Sequence, residues 1–188
     1  MKKSITTKKG DSGKTGLLDN TRISKYDIRP ETYGTLDEAA AFIGLARAKS
    51  SLDEIRKALR TVLIHIYLIN AELACPAEFL DKLKKKITPA ELSKLEEQAS
   101  LIEAKLDLPA KFVIYGQSET SACLDIARAV VRRAERRLAE LNQQHPLQNP
   151  TISAYINRLS DALYLFARYE EFANNIPFAH PDTNRTEV

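Results

Sequence analysis

Residues 51–76 read SLDEIRKALRTVLIHIYLINAELACP. Leu52, Ile55, Leu59, Val62, Ile66, Ile69 and Leu73 recur at intervals of three and four, which sets them on one face of a helix. Leu63, Tyr67 and Leu68 widen that face, so this helix is expected to be the most buried of the chain. Ser51-Leu52-Asp53-Glu54 has the form of a capping box, and Pro76 stops the helix.

Four further stretches share this periodicity. The first runs from about 32 to 49 with Leu36, Ala39, Ile43 and Ala46 on one face, and Thr35-Leu36-Asp37-Glu38 offers a capping box near its start. Another opens at Thr88-Pro89-Ala90-Glu91, which combines a cap, a first-turn proline and a returning glutamate; Leu92, Leu95, Ala99, Ile102 and Leu106 follow, and Pro109 marks its end. From about 118 to 142, Leu124, Ala127, Val131, Ala134, Leu138 and Leu141 form a coiled-coil-like stripe. The last follows Asn149-Pro150 and carries Ile152, Ile156, Leu159, Leu163 and Phe166. Lys111-Phe112-Val113-Ile114-Tyr115 could pass for a strand, but a lone strand would be marginal, so it reads as a loop. The expected fold class is all-α, a five-helix bundle with an up-and-down four-helix core plus one further helix. The bundle should span residues 29–175, preceded by a glycine-rich basic segment (1–28) and followed by a flexible tail (176–188).

The chain has 188 residues, enough for one core, with 44% hydrophobic and 28% charged residues, which excludes a disordered or collagen-like chain. Charge is uneven: residues 1–25 hold seven Lys or Arg against two Asp or Glu, a net +5, and the remainder is −2. That bias suits an anionic partner or a solvated basic tail. Cys75 and Cys123 lack disulfide-framework or zinc spacing, as expected of a reducing compartment. The amino terminus has no apolar signal core and no stretch is long enough to span a bilayer, so a cytoplasmic protein without a membrane partner is expected.

Three clusters carry chemistry. Thr7-Lys8-Lys9-Gly10-Asp11-Ser12-Gly13-Lys14-Thr15-Gly16 fits a phosphate-binding loop or a flexible terminus, but it is not a Walker A motif, since Lys8 stands where the first glycine is needed. Arg128, Arg132 and Arg136 recur every four residues; Arg128 and Glu135 fall beside the apolar stripe and should be half-buried, so Arg128 needs a carboxylate or a bound anion. Arg133 and Arg137 point away as surface charges. A solvated basic helix whose Arg and Glu side chains satisfy one another is equally compatible with the spacing. Asn157-Arg158-Leu159-Ser160-Asp161 is unusually polar for mid-helix and could bridge helices or meet a ligand. Asp37 suits the positive end of a helix, or a buried arginine. His65 has no ExxH pattern around it and reads as a hydrogen-bonded core residue, which leaves a ferritin-like di-iron site unsupported; His145 and His180 carry no message.

Together these motifs resemble the PduO-type ATP:cob(I)alamin adenosyltransferases. The resemblance covers residues 7–168 and rests on four blocks in order: the glycine-rich segment through Leu17, Tyr33-Gly34-Thr35-Leu36-Asp37-Glu38, Arg132-Arg133-Ala134-Glu135-Arg136 and Asn157-Arg158-Leu159-Ser160-Asp161. It implies a bundle homotrimer with sites at subunit interfaces, and transfer of the 5′-deoxyadenosyl group of ATP to cob(I)alamin with Mg2+ present. By motif, ATP would be held by Thr7, Lys8, Lys9, Gly10, Thr15, Gly16, Lys25, Arg132, Arg133, Ala134, Glu135, Arg136 and Asn157. Arg132, Arg128 and Asp37 would carry catalysis, with Arg128 paired to Asp37 across the subunit boundary. Phe112 would close the lower face of the corrinoid, and no protein metal site is implied. A reductase supplying Co(I) is a further implied partner.

The sequence departs from the family at three places. Tyr115-Gly116-Gln117-Ser118 replaces a usual Pro-Gly-Gly-Ser, Asp125 replaces a usual histidine, and Asn20 stands where glycine is common. These changes leave room for a binding relative that holds ATP or cobalamin without efficient transfer. A nucleic-acid-binding bundle is disfavoured, because Glu135 and Asp161 interrupt the basic faces and no aromatic stacking platform is evident.

Overall fold

In the computed structural model, which describes Thr6, residues 8–108 and residues 110–181, the 51–76 stretch forms a helix over Asp53–Leu73. Its Ile55, Leu59, Val62, Ile66, Ile69 and Leu73 are all buried. In chain order the helices are α1 (Ile28–Lys49), α2 (Asp53–Leu73), α3 (Pro89–Glu103), α4 (Glu119–Gln144) and α5 (Thr151–Ala173), with a 3-10 turn at Ala77–Lys82. Residues 110–118 lie outside helices and strands, as expected.

Ion pairs fix the directions. Glu31 with Arg137, Glu38 with Arg133 and Lys49 with Glu119 run α1 antiparallel to α4. Glu54 with Lys105, and the Glu72 carboxylate accepting from Ile87 N, run α2 against α3. Glu96 with Arg158 aligns α3 alongside α5. The bundle is thus up-and-down, in the spatial order α2, α1, α4, α5, α3. The most buried helix is α5, not α2, because α5 lies between α4 and α3 and also touches α2. On α2, Ile64 and Tyr67 remain exposed, so the widened apolar face is only partly covered. Among the described residues no helix is long and apolar enough to cross a membrane.

Capping signals were met at two helices, α3 and α5, and displaced at two, α1 and α2, while the cap of α4 was not anticipated. Thr88 and Glu91 form the expected box on α3, and Ser118 caps α4 with Ser121 returning to it. Asn149 Oδ1 accepts from Thr151 N at 3.1 Å at the start of α5. The first helix begins at Ile28 instead of about 32, since Asp27 caps it by accepting from Arg29 N. Thr35 is therefore inside the helix, where its hydroxyl donates to Glu31 O at 2.7 Å. Ser51 caps nothing; the buried Ser50 accepts from Leu52 N at 3.1 Å instead. Pro109 lies outside the described residues.

His65 is the packed histidine expected, with Nδ1 2.8 Å from the Tyr155 hydroxyl. Burial holds its pKa below the ordinary value; nearby Glu91 opposes this and Lys94 adds to it. The unfolded chain binds a proton first as pH falls, so this contribution to stability is complete above about pH 6.5 and is lost below it. The Tm should fall between pH 7.5 and pH 5, and calorimetry should show a shallower fall in His65→Gln. Equal pH slopes in the two proteins would contradict this assignment.

Before α1, Lys14–Gly16 (β1) and Arg22–Ser24 (β2) pair antiparallel with Thr15 opposite Ile23, a small hairpin that periodicity did not reveal. Asn20 in its turn has φ 72°, the left-handed region where glycine is at ease and asparagine is the tolerated substitute.

Candidate active site

Two basic regions emerge, one on the hairpin and one on α4 and α5. The hairpin is fastened to the bundle where α2 ends: Leu18 N donates to Ala74 O at 3.1 Å, while Arg29 at the start of α1 donates to Leu73 O at 2.9 Å. Thr15 hydrogen-bonds Tyr33; burial nevertheless raises the Tyr33 phenol pKa overall. Arg22 knits the loop by donating to Lys14 O at 2.9 Å and to Lys9 O. Gly10 permits a close approach, because a Cβ there would stand 3.1 Å from Lys25 Nζ. The turn at Gly13 has φ 73°, with its N–H bonded to Gly10 O. Lys8, Lys9 and Lys25 are exposed, and among the described residues none forms an ion pair. Thr7 lies outside the described residues.

The second region is an open cleft of about 420 Å³ lined by Glu103, Leu108, Arg128, Arg132, Ser160, Asp161, Tyr164 and Leu165. The α4 stripe turns Arg128 and Arg132 to this side, as the four-residue spacing requires. Arg132 is exposed and, among the described residues, has no hydrogen bond or ion pair; the same is true of Arg136. Beside them Glu135 is half-buried, as expected, but its partner is not an arginine: Oε1 accepts from Asn157 Nδ2 at 2.8 Å. Asn157 Oδ1 in turn accepts from Arg158 at 2.8 Å, and Ser160 donates to Asn157 O. The polar interruption of α5 thus bridges to α4 and borders the cleft.

Other residues of the arginine block face elsewhere. Arg133 turns to Glu38 on α1, and Ala134 is fully buried in the core. Asp37 lies in the third turn of α1 and not the first, so the helix terminus does not account for it; it is exposed and has no ion-pair partner among the described residues. Arg128 meets Asp125 instead, Nε to Oδ1 at 3.6 Å, and its guanidinium lies 4.7 Å from the Tyr115 ring centre. Phe112 is 85% exposed. Its loop is bonded to the chain beyond α5: Ile114 N donates to Ala179 O at 2.8 Å, and His180 Nδ1 is 2.8 Å from Phe112 O. His180, from which nothing was read in the sequence, thus contacts the Phe112 loop. Cys75 and Cys123 are free and buried.

Sequence reasoning missed Arg168. It is fully buried on α5, donating to Asp125 Oδ2 at 2.8 Å and to Glu171 Oε1 at 3.0 Å. Burial alone would lower its pKa, but Asp125 and Glu171 outweigh that and raise it. The signal available was a charged residue inside the run Leu165-Phe166-Ala167-Arg168, a burial that requires a carboxylate elsewhere.

No residue from 8 to 25 lines the cleft, and none among them bonds to Arg132, Glu135, Arg136 or Asn157. One chain therefore carries two separate sets of cations without ion-pair partners among the described residues: the hairpin, with five Lys or Arg against two Asp in residues 8–25, and Arg132 and Arg136 on α4, although Glu103 and Asp161 share the cleft with Arg132. Such a molecule is a helical bundle equipped to hold a polyanion. Residues 5–170 match the family model described as cobalamin adenosyltransferase. A corrinoid adenosyltransferase of Citrobacter freundii is 38% identical over 167 residues, covering 89% of this chain and 94% of that protein. The corrinoid adenosyltransferase PduO of the same organism is 35% identical, and this chain spans about half its length. Among solved structures, a variant PduO-type ATP:corrinoid adenosyltransferase from Lactobacillus reuteri, complexed with cobalamin and ATP, superposes with a TM-score of 0.87 at 25% identity. That match covers 96% of this chain and 97% of the other. The chain belongs to the cobalamin adenosyltransferase family.

Proposed function

We propose that the two cationic surfaces are halves of one site, in which the chain transfers the 5′-deoxyadenosyl group of ATP to cob(I)alamin, giving adenosylcobalamin and triphosphate. The observation that carries this reading is the unpaired Arg132 and Arg136 beside the Glu135 and Asn157 bridge, on a fold belonging to this family. Co(I) attacks the 5′ carbon with its own electron pair, a Co–C bond forms, the C–O bond breaks, and the electrons leave on triphosphate. The protein needs no nucleophile. Its tasks are to hold the carbon in line with cobalt and to neutralise the charge growing on the leaving group.

Lys8, Lys9, Gly10, Thr15, Gly16 and Lys25 would hold the phosphates from the hairpin side, with Thr7 completing the motif. Arg132, Glu135, Arg136 and Asn157 would hold the nucleotide from the helix side; of the remainder of that block, Arg133 pairs with Glu38 at the surface and Ala134 packs in the core. Mg2+ would arrive with ATP as the counter-ion of its phosphates. That ion would share the triphosphate charge. Phe112, exposed on its loop, is available to cover the lower face of the corrinoid.

Because one chain separates the two surfaces, the site is completed between copies, in a cytoplasmic homotrimer that receives Co(I) from a reductase. Asp37, exposed and without an ion-pair partner among the described residues, would then meet Arg128 of an adjacent copy. Asp37→Asn should shift the sedimentation profile towards smaller species at micromolar protein and lower activity in parallel. An unchanged trimer with unchanged activity would remove this pairing. The reaction itself is tested by product stoichiometry: one triphosphate should appear per adenosylcobalamin, whereas free phosphate or diphosphate formed in the transfer step would contradict attack at the 5′ carbon. Nucleotide binding without transfer under strong reduction would instead support a binding relative.

A further inference from the structure

Two of the positions at which the sequence departs from the family pattern meet on the same pair of guanidinium groups. Tyr115 lies on the loop before α4 and Asp125 within α4, yet the Tyr115 ring is 4.7 Å from the Arg128 guanidinium and 5.7 Å from that of Arg168. Asp125 divides its oxygens between the same two arginines, Oδ2 to Arg168 at 2.8 Å and Oδ1 to Arg128 at 3.6 Å. The second distance is an ion pair and not a hydrogen bond, and both Asp125 Oδ1 and Arg128 Nε are buried without a hydrogen-bond partner. Arg128 is therefore steered by charge and by an aromatic face instead of being locked by directional bonds. Its side chain is 18% exposed, and that exposed part lines the cleft.

Resting on the functional reading above, we propose that Tyr115 and Asp125 are positioning residues that clamp Arg128 and, through it, hold the Phe112 loop in place for the corrinoid. Phe112 and Tyr115 belong to one short loop, with Gly116 at φ 80° turning the chain into α4. Anchoring the ring on two buried-side cations fixes the carboxyl end of that loop to α4. A proline at 115 would offer no aromatic face to either guanidinium, and a histidine at 125 would bring no carboxylate to offset their charge. The replacements at 115 and 125 thus act as a matched pair, one supplying the ring and the other the charge.

The clamp acts on the corrinoid loop and not on the phosphate groups, so the two substrates respond differently to its loss. Tyr115→Ala should raise the KM for cob(I)alamin roughly tenfold, the scale of a desolvated cation–π contact, with the KM for ATP unchanged. Tyr115→Phe keeps the ring and should restore the parent value. Asp125→Asn keeps an acceptor for Arg168 while removing the charge beside Arg128, and should raise the same constant. Hydrogen exchange of residues 110–118, measured without any substrate, should be faster in Tyr115→Ala and normal in Tyr115→Phe. A Tyr115→Ala protein with a normal loop and normal corrinoid KM overturns the proposal, as does a parallel rise in both KM values or failure of Tyr115→Phe to rescue. If the parent protein transfers no adenosyl group, the functional reading fails, while unchanged exchange in Tyr115→Ala separately overturns the clamp.

Discussion

Arg132→Ala is expected to lower kcat for adenosyl transfer by about 100 to 1000-fold, the loss typical of removing one preorganised charge-stabilising donor. Folding should be unaffected, because Arg132 is exposed and, among the described residues, holds no hydrogen bond or ion pair. A guanidinium left unpaired in a cleft has no structural work to lose. Its positive charge is available to whatever anion enters, and the charge that grows most in this reaction is on the departing triphosphate. Helical content and Tm should therefore match the parent while turnover collapses. Arg132→Lys retains charge but not the planar fork and should fall between the two. Near-normal turnover in Arg132→Ala would remove Arg132 from the machinery.

The second large effect is structural. Arg168→Ala strips the shared cation from two buried carboxylates, Asp125 and Glu171, which stand at 2.8 and 2.9 Å from it in ion-pair geometry. Breaking a buried pair by removing one partner costs about 3–5 kcal/mol, which for a chain of this size lowers Tm on the order of 10 °C. Most of that loss should return when Asp125→Asn and Glu171→Gln are added, since the penalty comes from uncompensated charge and the three sites are coupled. A Tm within about 2 °C of the parent in the single variant would show that the network carries no net stability.

The bundle was legible because helices announce themselves through a 3.6-residue period, and each apolar stripe read from the sequence holds buried residues, although on the third only Leu95 and Ile102 are buried and Leu92, Ala99 and Leu106 are half-buried. Boundaries were less legible. The start of α1 is set by Asp27, ahead of the apolar stripe, while Thr35 bonds within the helix instead of capping it and Ser50, not Ser51, accepts from Leu52 N. The hairpin was invisible because three-residue strands are too short for an alternating pattern, and it is held to the bundle by Leu18 N donating to Ala74 O after α2 and by the Thr15 bond to Tyr33 on α1. At the site, cation identities were readable from spacing and motif, and the half-buried state of Arg128 and Glu135 followed from helical geometry. Their partners were not readable. Asp125 and Arg168 are joined across two helices, and Glu135 found Asn157 where an arginine was the simpler expectation. Pairings distant in sequence depend on how helices pack, which periodicity alone does not specify.

Anaerobic incubation of the purified protein with ATP, Mg2+ and chemically reduced cobalamin asks whether this chain joins the adenosyl group of ATP to cobalt. Loss of the Co(I) spectrum and growth of adenosylcobalamin, dependent on both protein and ATP, are expected. A Co(I) spectrum that persists with ATP bound to the protein would contradict that activity.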